Sequence, residues 1–451
     1  MPLFGTDGVR GVANEGLTAD LAHRLARVVG TGLGPGARVV VGRDTRLSGP
    51  MLEAASVAGL LEVGVEAVSL GVLPTPAVAH LVPVLHADAG LVISASHNPP
   101  EYNGLKWLRK DGRKFSDREE ATIEAALAED RFLAVPPLRI GAWRLWPEAA
   151  DRYVDHLVRL FVGQIPPLKV VVDVGHGAAG RTAARALERL GCTVDVIFGE
   201  PHGHLINVGT GATHPERVAE AVRRRGYDVG FAFDGDADRV MAADADGNVL
   251  NGDAILYILA RGMADEGRLP GRRIVTTVMS NLGLERGLRA SRIAMERTPV
   301  GDRFVAERMA EVGAALGGEQ SGHVILAEWA VTGDGLMTAL ALLREMGRSG
   351  RSLPELLAGF ATYPQILTNV KLERIPAAWA EEPAITDAVR AAEADLGEDG
   401  RILLRPSGTE PLLRIMVEGR DEGRIQQWAD RLAAVVRETL GSATASSESV
   451  P

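Results

Sequence analysis

At 451 residues, 46% apolar and 24% charged, the chain is too long for one compact core and too apolar to be disordered, so several globular domains are expected. Its net charge of −10 disfavours a nucleic-acid partner, and no apolar run is long enough to cross a bilayer. The single cysteine, Cys192, rules out an internal disulfide; together with an N-terminus lacking a basic-then-apolar leader pattern, it points to the cytoplasm.

Along the chain, short β-branched runs end in polar turns, and helical stretches separate them. A helical pattern from Ala19 to Val29 precedes Val39-Val40-Val41, which runs into Gly42-Arg43-Asp44-Thr45-Arg46. Gly90-Leu91-Val92-Ile93 runs into Ser94-Ala95-Ser96-His97-Asn98-Pro99. The prolines Pro136-Pro137 and Pro166-Pro167 bracket a connecting helix, with Trp143 and Trp146 just before it. Val170-Val171-Val172-Asp173 leads to Gly175-His176-Gly177, followed by helical stretches at Arg181–Leu190 and Arg217–Arg225. Val229-Gly230-Phe231-Ala232-Phe233 then leads to Asp234. Strand, polar turn and helix in repetition predict α/β sheets with crossovers, whose ligands lie beyond the carboxyl ends of the strands. The expected divisions are residues 1–150, 151–250, 251–364 and 365–441, the last being smaller and α+β, with a disordered tail at 442–451.

Four of the polar turns carry chemistry. In Ser94-Ala95-Ser96-His97-Asn98-Pro99-Pro100, a serine at a strand end beside His97 has the setting of a nucleophile, though such a cluster is also an ordinary turn. In Asp234-Gly235-Asp236-Ala237-Asp238-Arg239, alternate carboxylates converge from one loop on a hard cation such as Mg²⁺. An EF-hand is excluded, because Arg239 and Ala245 stand where its glycine and final glutamate belong. A dehalogenase-type phosphatase and a solvated acidic turn both stay open on this loop alone. Gly317-Gly318-Glu319-Gln320-Ser321-Gly322-His323 places short polar side chains between glycines, suited to sugar hydroxyls, with His323 as readily structural as functional. Arg405-Pro406-Ser407-Gly408-Thr409-Glu410-Pro411, followed by Arg414, offers hydroxyls and guanidinium groups to a phosphate, and reads equally as a surface turn. With the whole chain acidic, an anionic substrate needs a locally basic cleft, and arginine suits bidentate phosphate binding.

These four loops, in this order, resemble the α-D-phosphohexomutase superfamily over nearly the whole chain. Phe4-Gly5-Thr6-Asp7-Gly8-Val9-Arg10-Gly11, Met279-Ser280-Asn281-Leu282-Gly283-Leu284, Val300-Gly301-Asp302-Arg303 and Pro364-Gln365-Ile366-Leu367 add to the likeness, which is strongest to its bacterial amino-sugar branch. The resemblance implies four domains around a central cleft, three α/β and a smaller α+β one. It implies that Ser96 carries a phosphoryl group and that Asp234, Asp236 and Asp238, with Ser96, hold one Mg²⁺ per subunit. Glu319 and Ser321 would then touch the sugar, while Arg405, Ser407, Gly408, Thr409 and Arg414 clamp the phosphate not being transferred. Arg10 and Arg239 would stabilise charge, and Lys106 or His97 would take the hydroxyl proton; as a base, Lys106 would need a lowered pKa. The implied reaction interconverts glucosamine 6-phosphate and glucosamine 1-phosphate and supplies UDP-N-acetylglucosamine for cell-wall precursors. Glucosamine 1,6-bisphosphate or another phosphoryl donor would activate the enzyme. The partner is a small phosphosugar, with no nucleic acid or membrane, and a homodimer is allowed. Ala237 departs from the glycine common in that branch, and Asn207-Val208-Gly209-Thr210-Gly211-Ala212-Thr213-His214 matches it only loosely. Three alternatives remain: a hexose-phosphate mutase of the same superfamily, a Mg²⁺-dependent phosphatase using Asp234, and a non-catalytic sugar-phosphate sensor. The sensor would have no need of a nucleophilic serine beside a metal loop.

Overall fold

The computed structural model describes residues 3–5, 7–406 and 411–441. Ser407, Gly408, Thr409 and the 442–451 tail therefore lie outside the described residues. Among those described, the strands form four sheets, of six, five, four and three strands. The expected three α/β layers and a smaller C-terminal one are what the chain forms. Chain contacts divide it into two compact units: residues 1–280 with 291–358, and residues 281–290 with the chain from 359 onward.

In the first unit, the first sheet has the order β1-β5-β4-β2-β3-β6. Its strands are β1 (Val9–Val12), β2 (Arg38–Arg43), β3 (Glu66–Val72), β4 (Ala89–Ile93), β5 (Tyr102–Arg109) and the edge strand β6 (Trp143–Leu145). β2 runs parallel to both β3 and β4, with Arg43 opposite Ile93, so the loops leaving β2 and β4 emerge side by side. Its helices are α1 (Ala19–Leu33), α2 (Gly49–Glu62), α3 (Thr75–Val84) and α4 (Asp117–Ala128), and α5 (Ala149–Phe161) leads onward. Helix α1 begins where the Thr18 hydroxyl accepts the Leu21 N–H at 3.2 Å, and it buries Ala22, Leu25, Ala26 and Val29, a single stripe at helical spacing.

The second sheet, β11-β10-β9-β7-β8, uses β7 (Lys169–Asp173), β8 (Thr193–Ile197), β9 (Val229–Phe233), β10 (Val240–Ala243) and β11 (Val249–Leu250). Helices α6 (Ala183–Arg189), α7 (Glu216–Arg225) and α8 (Gly252–Asp265) connect and follow it. Parallel β7 and β9 are buried almost throughout and read as continuous apolar runs because both faces are covered. The third sheet, β13-β12-β14-β15, pairs β12 (Arg273–Thr277) with β13 (Ala294–Thr298) and β14 (Leu316–Gly318), and ends on β15 (Val324–Leu326). With it go α10 (Asp302–Val312), α11 (Gly335–Ser349) and the short α12 (Leu353–Leu356); α9 (Leu282–Ala290) belongs to the second unit.

That second unit is an antiparallel sheet, β16-β18-β17, of β16 (Gln365–Lys371), β17 (Gly400–Pro406) and β18 (Leu412–Gly419), backed by α13 (Pro383–Leu396) and α14 (Glu422–Gly441). Asn281 ties α9 into it, accepting N–H groups from Gly283 and Tyr363, each at 2.9 Å. Buried Glu418 accepts the Leu282 N–H at 2.9 Å and pairs with Arg401.

Gly59 on α2 sits at the contact with α1, where a Cβ would lie 2.3 Å from the His23 carbonyl oxygen. Gly59→Val should therefore destabilise the fold by about 1–3 kcal/mol through overpacking, read as a lower urea midpoint at unchanged slope.

Candidate active site

The loop after β4 places Ser96 at 1% exposure with φ of +51°, a left-handed conformation costing a non-glycine residue about 1–2 kcal/mol. Arg46, from the neighbouring loop after β2, holds it there. The fully buried Arg46 guanidinium bonds Asp44 at 2.9 Å and donates to the carbonyls of Ser96 (2.9 Å), Asn98 (2.8 Å), Tyr102 (2.9 Å) and Pro99. Asp44 also accepts the Ser94 hydroxyl at 2.6 Å, and Ser94 in turn accepts the Ser96 N–H at 2.9 Å. Asn207 adds a bond to the Ser96 carbonyl at 2.8 Å. The Ser96 N–H and carbonyl and the Asn98 carbonyl are thus all engaged.

The loop after β9 supplies Asp234, Asp236 and Asp238, which are at 0%, 0% and 5% exposure. Their ligating oxygens lie within 4.8 Å of one another, the one such carboxylate or imidazole group of three among the described residues. Gly235 lets this loop approach the serine loop, since a Cβ would meet the Ser96 carbonyl oxygen at 2.7 Å. Ala237 has φ of +57°, which explains why glycine suits this position. The Ser96 hydroxyl donates to Asp234 at 2.6 Å. Burial, then the charges of Asp238 and Asp236, push Asp234 well above the ordinary carboxylate range; burial and Asp236 also raise Asp238. Burial likewise works against Asp236, but the Lys106 ammonium at 2.9 Å and the Thr75 hydroxyl at 2.6 Å bring it below its ordinary value. One oxygen each of Asp236 and Asp238 is buried without a hydrogen-bond partner. Crowded, dry, oxygen-only and partly unsatisfied, the cluster fits a hard divalent cation.

Cations surround it. Burial depresses Lys106, but Asp236, Asp7 and Asp238 together more than reverse this, so its pKa lies above the ordinary lysine value. These carboxylates hold Lys106 as a fixed positive charge beside the aspartate loop. His97 lies 3.3 Å from the Ser96 hydroxyl through Nδ1, and burial followed by the charges of Arg239 and Arg10 pushes it down to about 3, leaving a neutral ring. Arg10 donates to Asn98 at 3.2 Å and pairs with Asp7. Arg239 lies 3.9 Å from Asp238, and its backbone N–H reaches Asp234 at 3.2 Å.

The β14–β15 turn carries Glu319 and Ser321. Glu319, at 8% exposure, accepts the Gly301 N–H at 3.2 Å and the Ser321 hydroxyl at 3.3 Å. The Gly322 carbonyl accepts the Val240 N–H at 3.1 Å, which docks this loop beside the aspartate loop. His323 Nε2 accepts the Gly333 N–H at 3.1 Å, and its Nδ1 is buried without a hydrogen-bond partner. In the second unit, Arg405 and Arg414 stand opposite each other on β17 and β18. Burial and the Arg414 charge lower the Arg405 pKa, as expected of paired guanidinium groups that favour an anion.

Arg46, Asp44, Asn207 and Thr75 escaped the motif reading. The signal for the first two was present, an Asp-Thr-Arg turn at a strand end, but no periodicity says that the arginine is wholly buried. Replacing Arg46 by methionine would strand Asp44 and four carbonyls. The expected loss is about 3–5 kcal/mol in chemical denaturation, with the Ser96 loop becoming protease-sensitive.

Four family models match in succession. "Phosphoglucomutase/phosphomannomutase, alpha/beta/alpha domain" I, II and III match residues 1–134, 151–247 and 251–363, and the C-terminal domain of the same family matches 367–435. A phosphoglucosamine mutase of Desulforamulus reducens is 47% identical, over 96% of this chain and 99% of its own. That of Moorella thermoacetica is 49% identical over 94% and 96%. A crystal structure of a phosphoglucomutase/phosphomannomutase family protein from Burkholderia thailandensis superposes with a TM-score of 0.82 at 29% identity, covering 97% of each chain.

Proposed function

The chain belongs to the phosphoglucomutase/phosphomannomutase family, and we propose from that premise that it interconverts glucosamine 6-phosphate and glucosamine 1-phosphate. It is an isomerase of the phosphoglucosamine mutase type, as its relatives at nearly half identity over the whole chain are. The observation that carries the reading at the site is the Ser96 hydroxyl, 2.6 Å from a carboxylate of the buried aspartate triad.

In the proposed cycle, phosphorylated Ser96 gives its phosphoryl group to the sugar's free hydroxyl. The P–Oγ bond breaks as the new P–O bond forms, and the hydroxyl proton leaves with a base. The resulting 1,6-bisphosphate turns over, and its other phosphate returns to Ser96. Asp234, Asp236 and Asp238, with an oxygen on Ser96, would hold Mg²⁺, which when bound offsets charge on the phosphoryl oxygens. Lys106, Arg10 and Arg239 add fixed positive charge, while neutral His97 stands with Nδ1 3.3 Å from the serine oxygen. Glu319 and Ser321 would meet the sugar, and Arg405, Ser407, Gly408, Thr409 and Arg414 would supply phosphate-binding groups. A bisphosphate supplies the first phosphoryl group. The proposed domains are 1–150, 151–250, 251–364 and 365–441, each carrying one of the four loops. A cytoplasmic location agrees with one buried free thiol, Cys192, and with the absence, among the described residues, of any helix long and apolar enough to cross a membrane.

A coupled assay on phosphorylated enzyme should give a higher kcat/KM for glucosamine 1-phosphate than for glucose or mannose 1-phosphate; glucose 1-phosphate at or above it would make the enzyme a hexose mutase. Asp236→Asn should keep its circular dichroism and lose roughly 3–4 kcal/mol of transition-state stabilisation, a few hundred-fold in kcat. Unchanged turnover by this variant would remove Asp236 from the site.

A further inference from the structure

Lys114 lies just beyond β5, where Leu108 and Lys114 form an isolated antiparallel bridge, and it has no contact with the aspartate triad. Its ammonium meets two carboxylates from distant parts of the chain, Asp7 and, at 2.5 Å, Asp302. The three side chains are 15%, 19% and 17% exposed, too buried for water to replace the pairing fully.

Each carboxylate leads inward. Asp7 also meets Lys106 at 3.1 Å and pairs with Arg10, and Lys106 reaches Asp236 at 2.9 Å. Asp302 opens α10, directly after Gly301, whose N–H is held by Glu319 at 3.2 Å. Alternating charge therefore runs from Asp236 through Lys106, Asp7 and Lys114 to Asp302, and one step of backbone carries it to the sugar loop. Resting on the mutase reading above, we propose that Lys114 is a positioning residue for phosphoryl transfer. Its ammonium aims Asp7 at Lys106 on one side and fixes the start of α10 under Glu319 on the other. Without it, two buried carboxylates would face each other, Asp7 would turn further onto Lys106 and Arg10, and Lys106 would be drawn from Asp236. The charge that meets the phosphoryl oxygens would move although no atom touching them had been changed.

Kinetics and melting of three variants beside wild type test this. Lys114→Met should lower kcat at least tenfold with KM within threefold. Lys114→Arg, which keeps the charge, should recover most of that loss. The double variant Lys114→Met/Asp302→Asn removes the surplus carboxylate and should regain Tm while kcat stays low; it carries the test if the single variant fails to fold. A kcat within twofold of wild type in Lys114→Met would overturn the proposal, as would kcat recovering together with Tm in the double variant, which is what a purely structural brace would do. Wild type that fails to turn over glucosamine phosphates would overturn the mutase reading and this proposal with it. Active wild type with equally active variants would sink the proposal alone.

Discussion

Three carboxylates held within 4.8 Å of one another, in a loop almost closed to water, repel strongly enough to need an answer from the rest of the fold. Part of the answer is covalently present. Lys106 is buried against Asp236, Arg239 stands beside Asp238, and Asp7 and Lys114 extend the alternation outward. A hard dication would supply the remainder. The two buried carboxylate oxygens without partners mark where the chain's own groups stop. A ligand whose phosphoryl oxygens are themselves negative can enter such a place only because positive charge has been assembled around it beforehand.

The serine loop meets the same demand by different means. Ser96 occupies a left-handed backbone conformation, and the energy for holding it comes from the buried Arg46 fan, which bonds the carbonyls on both sides of the turn. This is possible because β2 and β4 are adjacent and parallel, so an arginine leaving one strand reaches the loop leaving the other. The topology thus fixes the direction of the Ser96 hydroxyl, and a loop held this rigidly has little freedom left to lose.

Much of this was legible in the residues. Apolar runs ending in polar turns gave the sheets, and alternate aspartates after Phe233 gave the cluster, because the strand's end and the two-residue spacing are local facts. What escaped depends on partners far apart in the chain. Thr75 and Asp236 are 161 residues apart, Lys114 and Asp302 are 188, and Asn207 and Ser96 are 111. A single lysine in a hairpin carries no mark of the two carboxylates that will enclose it. The state of Lys106 was hidden for the same reason, since burial alone argues for a lowered pKa and only the assembled neighbours reverse the sign. Membership of α9 in the C-terminal unit was equally invisible, resting on Asn281 meeting Tyr363 and on Glu418 meeting Leu282.

The central claim is that phosphate travels on Ser96 and that the aspartates remain uncharged by phosphate themselves. Loading the enzyme with labelled bisphosphate, digesting it and sequencing the labelled peptide tests this most directly. The account predicts one labelled peptide spanning Ser96, stable to hydroxylamine and discharged by unlabelled glucosamine 6-phosphate into the bisphosphate. Label on the Asp234–Asp238 peptide, released by hydroxylamine, would contradict it.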